Sequence, residues 1–285
     1  MIIIRVNLNF LLQIRYKHPD GGFSGFGMRD KNSSTWLTSY VIKYFRRAKK
    51  YIDIDENILK DALSFVVSKQ LPSGQFKEDG IVFHKSLQSG TGSGIAFSSY
   101  ITIVIFEQLE FYPRYTKCVD SAIEFIDQHY DPKDTYSLAL ATYAFYLVDV
   151  GYEYELFEQF TTSSIKTPTY IYWKNPPASE NVTSLDVEIT AYGLLVFNQI
   201  PELFNDGFKI LQWLTSQQNS KGGWFSTQDT IQALEAISKF ATKFKTSNSN
   251  LQITIHPNSG LNVDVSVNRT TALTTQSFSV SYHLS

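Results

Sequence analysis

Laid over one another, Ser64–Phe76 (SFVVSKQLPSGQF) and Gln212–Trp224 (QWLTSQQNSKGGW) put Phe65 on Trp213, Ser68 on Ser216, Gln70 on Gln218, Gly74 on Gly222 and Phe76 on Trp224, all at one offset of 148 residues (65 to 213). The repeated unit is a helix, a glycine turn and an aromatic residue. Such units are followed by helices rich in small residues: TWLTSY, IAFSSY, LALATY and VEITAY, ending at Tyr40, Tyr100, Tyr143 and Tyr192. Small residues let helices approach closely around an axis, and aromatics after the glycine turns fill the rims. An α/α toroid satisfies this pattern better than a four-helix bundle, whose core needs no glycine–aromatic turn at this spacing.

Helical periodicity runs to about Phe244 and predicts helices near Thr35–Lys50, Asp55–Gln70, Gly94–Leu109, Thr116–Tyr130, Thr135–Val150, Tyr152–Phe160, Ser184–Gln199, Phe204–Gln218 and Thr227–Phe244. Ser226 with Asp229, and Thr183 with Asp186, read as capping boxes that satisfy free N–H groups at helix starts. From Leu251 the period changes to two, through Leu251, Ile253 and Ile255, then Leu261, Val263, Val265 and Val267, then Phe278, Val280, Tyr282 and Leu284, which predicts strands. The expected organisation is a helical toroid over residues 1–244, the polar linker TSNSN, and a partial β segment over 250–285. So little β structure is too short to build its own core.

A chain of 285 residues with 43% hydrophobic and 15% aromatic residues can bury a sizeable core. A net charge of −2 supplies no basic surface for nucleic acid. Cys118 is the only cysteine, which excludes an internal disulfide framework and a cysteine-based zinc cluster. The opening MIIIRVNLNFLLQIRY is apolar, but Arg5, Asn7, Asn9 and Gln13 interrupt it, so it reads as an amphipathic helix rather than a signal peptide. No run approaches the ~20 apolar residues of a membrane span. Asn32, Asn181 and Asn268 head N-x-[ST] sequons and are candidate glycosylation sites.

The motifs YKHPDGGFSGFG, STWLTSYV, FHKSLQSG, AFSSYITIVIFE, EITAYGLL and QQNSKGGWFSTQDTIQALEAISKF occur in that order. Together they closely resemble the thioester domain of the α2-macroglobulin and complement superfamily, especially the insect thioester-containing proteins. The resemblance runs from about Tyr16 to the C-terminus and implies a toroid inserted into a split CUB β-sandwich, whose returning half would be the strands after Leu251. It implies a secreted glycoprotein, either an innate-immune opsonin or a macroglobulin-type protease trap, that attaches covalently to targets through a Cys–Gln thioester in a GCGEQ motif. It implies microbial or cell surfaces, or proteases, as partners, and no cofactor. The GCGEQ motif does not occur in these residues. The expectation is therefore a fragment or a paralogue, with apolar surface left uncovered and prone to self-association.

His84, in the loop GIVFHKSLQSG, matches the place where family members that prefer hydroxyl targets carry a transacylating histidine. There the imidazole attacks the thioester carbonyl and an alcohol opens the acyl-imidazole; without a thioester it has nothing to act on. Cys118 is not a thioester cysteine, since the third residue after it is Ser121 rather than glutamine, and it reads as a buried structural thiol. His18, His129, His256 and His283 lack the spacing of a metal pair, so no metal site is expected. Two rival functions remain. One is a toroid enzyme of glycosidase or cyclase type with paired carboxylates; Asp53, Asp55, Glu56, Asp186 and Glu188 are better explained as helix-start caps. The other is a thioester-free, non-covalent binding module.

Overall fold

The computed structural model describes residues 13–80, 94–151, 153–176 and 181–244, together with the strands at 251–255 and 263–267. Among the described residues the helices are α1 (Thr35–Ala48), α2 (Glu56–Val67), α3 (Ile95–Phe106), α4 (Thr116–His129), α5 (Thr135–Val148), α6 (Tyr154–Thr162), α7 (Ser184–Phe197), α8 (Phe204–Ser216) and α9 (Thr227–Phe244). The odd-numbered helices follow one another around an inner ring: α3 packs on α1 and α5, and α7 on α5 and α9. Each of α1, α3, α5 and α7 also packs against the even-numbered helix that follows it, and these form the outer ring. This is the α/α toroid that the repeat implied.

Composition marks the inner helices that are buried on all sides. Every residue of α3 from Ile95 to Ile105 is buried, as is every residue of α7 from Asp186 to Phe197. Helices that are apolar or small on all sides belong in a core. The outer α2, α4 and α8 bury only one stripe, such as Leu59, Ala62, Leu63, Phe65 and Val66 on α2. Where an inner helix must approach a large ring, glycine makes the room. A Cβ at Gly193 of α7 would lie 2.4 Å from the Trp173 ring, which is fully buried, stacks on Phe160 at 4.5 Å and donates its indole N–H to the Phe160 carbonyl at 2.8 Å.

The glycine turns are one device used three times. His18, Leu71 and Asn219 each donate their N–H to the carbonyl four residues on, at 2.8 Å in every case, and each accepts from the N–H three residues on. That last donor is Gly21, Gly74 or Gly222, with φ of +91°, +88° and +78°, where a side chain is strained. Two residues later, the N–H of Phe23, Phe76 or Trp224 donates to a hydroxyl on the fourth residue of the next inner helix, Thr38, Ser98 or Thr230, at 2.8, 3.1 and 2.9 Å. A fourth aromatic, Trp173, does the same to Thr190 at 3.1 Å. It is presented by a short hairpin, β1 (Ile165–Lys166) paired antiparallel to β2 (Ile171–Tyr172), that periodicity did not reveal. The rims are thus pinned by buried aromatics whose backbone is tied to the inner helices.

β3 (Leu251–Ile255) pairs antiparallel with β4 (Val263–Val267), with Ile253 opposite Val265, where alternation placed strands. The predicted strand through Phe278–Leu284 and most of the predicted N-terminal helix lie outside the described residues.

Candidate functional site

One end of the ring holds the attachment of the loop that contains His84. Glu78 reaches the start of α1, where its carboxylate accepts from Thr35 N–H at 2.9 Å, Trp36 N–H at 2.8 Å and Ser34 Oγ at 3.0 Å, and then from Gly80 N–H at 2.7 Å. A carboxylate there satisfies orphan N–H donors and meets the positive end of the helix dipole. Gly80 lies flat on α1's leading turn; a Cβ would come within 2.7 Å of Ser34 Cα. The chain returns at Gly94, the residue before α3, in the left-handed conformation at φ +68°. The two feet of the loop therefore stand at the N-terminal ends of adjacent inner helices. His84 itself lies outside the described residues.

The axis of the ring holds a second cluster. Trp36 stacks on Tyr40 at 5.6 Å, Tyr40 meets Tyr44 at 4.5 Å, and Tyr143 meets Tyr192 at 6.0 Å. At the C-terminal end of this aromatic column lies the Glu235 carboxylate. Lys43 approaches it at 3.0 Å, Arg47 at 2.7 Å and Lys239 at 3.0 Å. Arg47 and Lys239 also reach Glu107, at 3.3 and 3.4 Å, and Lys239 donates to Tyr143 Oη at 3.1 Å. Burial alone would push the Glu235 carboxyl up, but Lys43, Arg47 and Lys239 override it and hold the group far below the usual carboxylate range. Burial, followed by the Glu235 charge, raises the Tyr40 and Tyr44 hydroxyls. At the same end, Arg46, Lys49 and the Tyr112 hydroxyl converge on Glu56; Arg46 first, then Lys49 and Tyr112, lower its carboxyl to about 2 against the opposing effect of burial.

Two carboxylates, Glu107 and Glu235, thus do meet at the axis, which is the arrangement a toroid glycosidase requires. They are joined through shared cations rather than set apart, and Glu235 is held ionised, so it offers no proton to a leaving group. The acids named from sequence fall out differently. Asp55 caps α2 through Asn57 N–H at 2.9 Å. Asp186 completes the capping box with Thr183 and also takes Asn175 N–H at 2.8 Å. Glu188 corrects the cap assignment: it sits a turn into α7, buried, where it accepts from Tyr136 Oη at 3.2 Å. Asp53 caps no helix among the described residues, and Glu56 is an ion-network residue rather than a cap.

Cys118 is buried and free, and burial raises its thiol to about 12. His18 is buried against Ser24 Oγ at 2.7 Å, and His129 bonds the Phe125 carbonyl at 2.8 Å while stacking on its ring. His256 and His283 are outside the described residues, as is Asn268. Asn32 and Asn181 are exposed. Among the described residues no group of three or more His, Cys, Asp or Glu is placed to hold a metal ion, and no helix is long and apolar enough to cross a membrane. Sequence reasoning missed the axial network, in which Arg47 and Glu235 lie 188 positions apart. The one signal available was the recurring tyrosine, since Tyr40, Tyr100, Tyr143 and Tyr192 close the small-residue segments.

The A-macroglobulin TED domain family matches this chain over residues 2–240. Ovostatin of Gallus gallus is 34% identical over 273 aligned residues, which cover 87% of the chain and 18% of ovostatin. The chain therefore spans less than a fifth of that relative's length.

Proposed function

This chain belongs to the A-macroglobulin/complement family as a TED domain, and from that premise we propose that it is the target-engaging domain of a larger secreted protein that acts as an opsonin or protease trap. In this reading the Cys–Gln thioester is carried by a part of the parent outside this sequence. His84 supplies the imidazole that takes the acyl group and passes it to a hydroxyl on the target. The observation that supports it is the placement of the two ends of the segment that contains His84: Glu78 and Gly80 bind the start of one inner helix, and Gly94 precedes the next. Residues 1–244 are the toroid, and residues 250–285, with β3 and β4, are part of the split CUB sandwich. The exposed Asn32 and Asn181 accept glycans during secretion, with Asn268 as a third acceptor.

The absence of GCGEQ from these residues favours one second reading, a module that binds its partners without covalent attachment. Both are tested by sequencing the transcript upstream of this segment, expressing the full product and treating it with methylamine. A stoichiometric adduct with one newly free thiol supports the covalent parent. A product with neither leaves the non-covalent module.

A further inference from the structure

Five of the eight residues from Lys43 to Lys50 (KYFRRAKK) are cationic. The helix dipole favours cations at the end of α1, which explains their presence but not their convergence. Lys43, Arg46, Arg47, Lys49 and Lys50 line one cavity of about 580 Å³ at the C-terminal mouth of the ring, and Lys239 of α9 joins them. Its wall also carries Glu56, Glu107 and Glu110, and Glu235 lies against it through three of the cations. Six positive charges against four negative leave an excess of two in one concave space, on a chain whose net charge is −2.

The pairing inside the cavity is uneven. Arg47 uses the single nitrogen Nη2 for both Glu107 and Glu235, and among the described residues its other N–H donors have no acceptor. Lys50, exposed, has no ion pair among the described residues. One wall is apolar: the Arg46 guanidinium lies 4.0 Å over the Phe111 ring, which is half exposed. A volume of this size matches a small-molecule site. Unspent guanidinium and ammonium donors beside an aromatic face suit a tetrahedral oxyanion on a small body.

We propose that the C-terminal mouth of the toroid binds a compact anionic ester, a phosphate or sulfate group on a sugar-sized molecule. Arg47 and Lys50 hold the oxyanion, and Phe111 carries the body. Glu110 faces the same space without a cation partner among the described residues, and it opposes binding. This site stands at the opposite end of the inner helices from Gly80 and Gly94 and does not depend on the thioester reading.

The test is isothermal titration of the full chain with glucose 6-phosphate and, separately, N-acetylglucosamine 6-sulfate, at constant ionic strength and with glucose as the neutral control. The expected result is saturable 1:1 binding of at least one ester, and the preferred arm identifies the source of the oxyanion. Lys50→Gln should weaken it about threefold and Glu110→Gln strengthen it by a similar factor, as expected for one charge at partly solvated range. Both residues are exposed and make no ion pair among the described residues, so neither change threatens the fold. Arg47→Gln should weaken it about tenfold or more. No saturable binding of either ester up to roughly 10 mM, weaker than any specific site of this kind, would overturn the proposal, as would affinities that the Lys50 and Glu110 changes leave unmoved.

Discussion

Replacing Glu235 by glutamine removes one charge from the axis and keeps its volume. Lys43 is the residue that suffers. Its side chain is 2% exposed and Glu235 is its ion-pair partner at 3.0 Å, whereas Arg47 and Lys239 are 36% and 34% exposed and retain Glu107. Stranding a buried ammonium costs about 3–5 kcal/mol. The two exposed partners add little, because solvent screens them. For a chain of this size about 2 °C accompanies each kcal/mol, so the melting temperature should fall by about 6–10 °C at pH 7. A second change separates this cause from general damage. Lys43→Met in the Glu235→Gln background replaces the pair with groups that need no counter-charge, and it should recover most of the loss. The pH dependence follows from the depressed carboxyl. Its stabilising contribution is fully present above the ordinary carboxylate range near 4.5 and is lost as pH falls toward the folded value far below it. The wild-type chain should therefore lose stability more steeply below about pH 4 than Glu235→Gln does, while the gap stays constant from pH 5 to 7. Glu56, lowered to about 2, acts equally in both proteins and cancels. Calorimetric melts across this range measure all three effects. A Glu235→Gln variant that melts within about 1 °C of wild type, or a double variant no better than the single, would refute the axial network as a stabilising element.

Two further outcomes rest on local geometry. Gly74 and Gly222 are equivalent in the repeat and both have positive φ, but a Cβ at Gly74 would lie 2.0 Å from the Ser121 carbonyl oxygen, whereas one at Gly222 meets nothing within 4 Å. Gly74→Ala should therefore cost about 3 kcal/mol or more and Gly222→Ala only about 1 kcal/mol in denaturant unfolding, and equal costs would contradict the packing. Cys118, raised to about 12 by burial, should not react with a thiol reagent at pH 8 until the chain is unfolded, and the native chain should take up no methylamine; a native-state adduct on Cys118 would show that it is not the inert core thiol described above.

Much of the ring was legible because its signals are local. The small residues and tyrosines of IAFSSY and VEITAY mark helices buried on all sides, and the Thr183–Asp186 and Ser226–Asp229 boxes mark their starts to the residue. The ends were less legible. Apolar spacing continues past Val67 and Phe106 toward Gln70 and Leu109, but those residues turn with tighter bonds, Gln70 N–H to the Val67 carbonyl and Leu109 N–H to the Phe106 carbonyl, so each predicted helix overran by three residues. Strands of two residues around Trp173 are too short to carry a period, although Trp173 completes the set of pinned aromatics. The ion pairs of the axial network left no local signal, because Arg47 and Glu235 approach only when the ring closes. His84 is the reverse case: its motif is plain in the sequence and its position lies outside the described residues.

The reading of His84 is tested most directly by acceptor choice in the full-length parent. Wild type and His84→Asn would be activated side by side in the presence of radiolabelled glycerol and radiolabelled methylamine, and the ratio of the two labels incorporated would be counted. If the imidazole carries the acyl group to hydroxyls, His84→Asn should lower the glycerol-to-amine ratio by about tenfold or more, within the range that removal of a general base or nucleophile produces, while amine uptake persists. An unchanged ratio would show that His84 is a loop residue without a part in the chemistry.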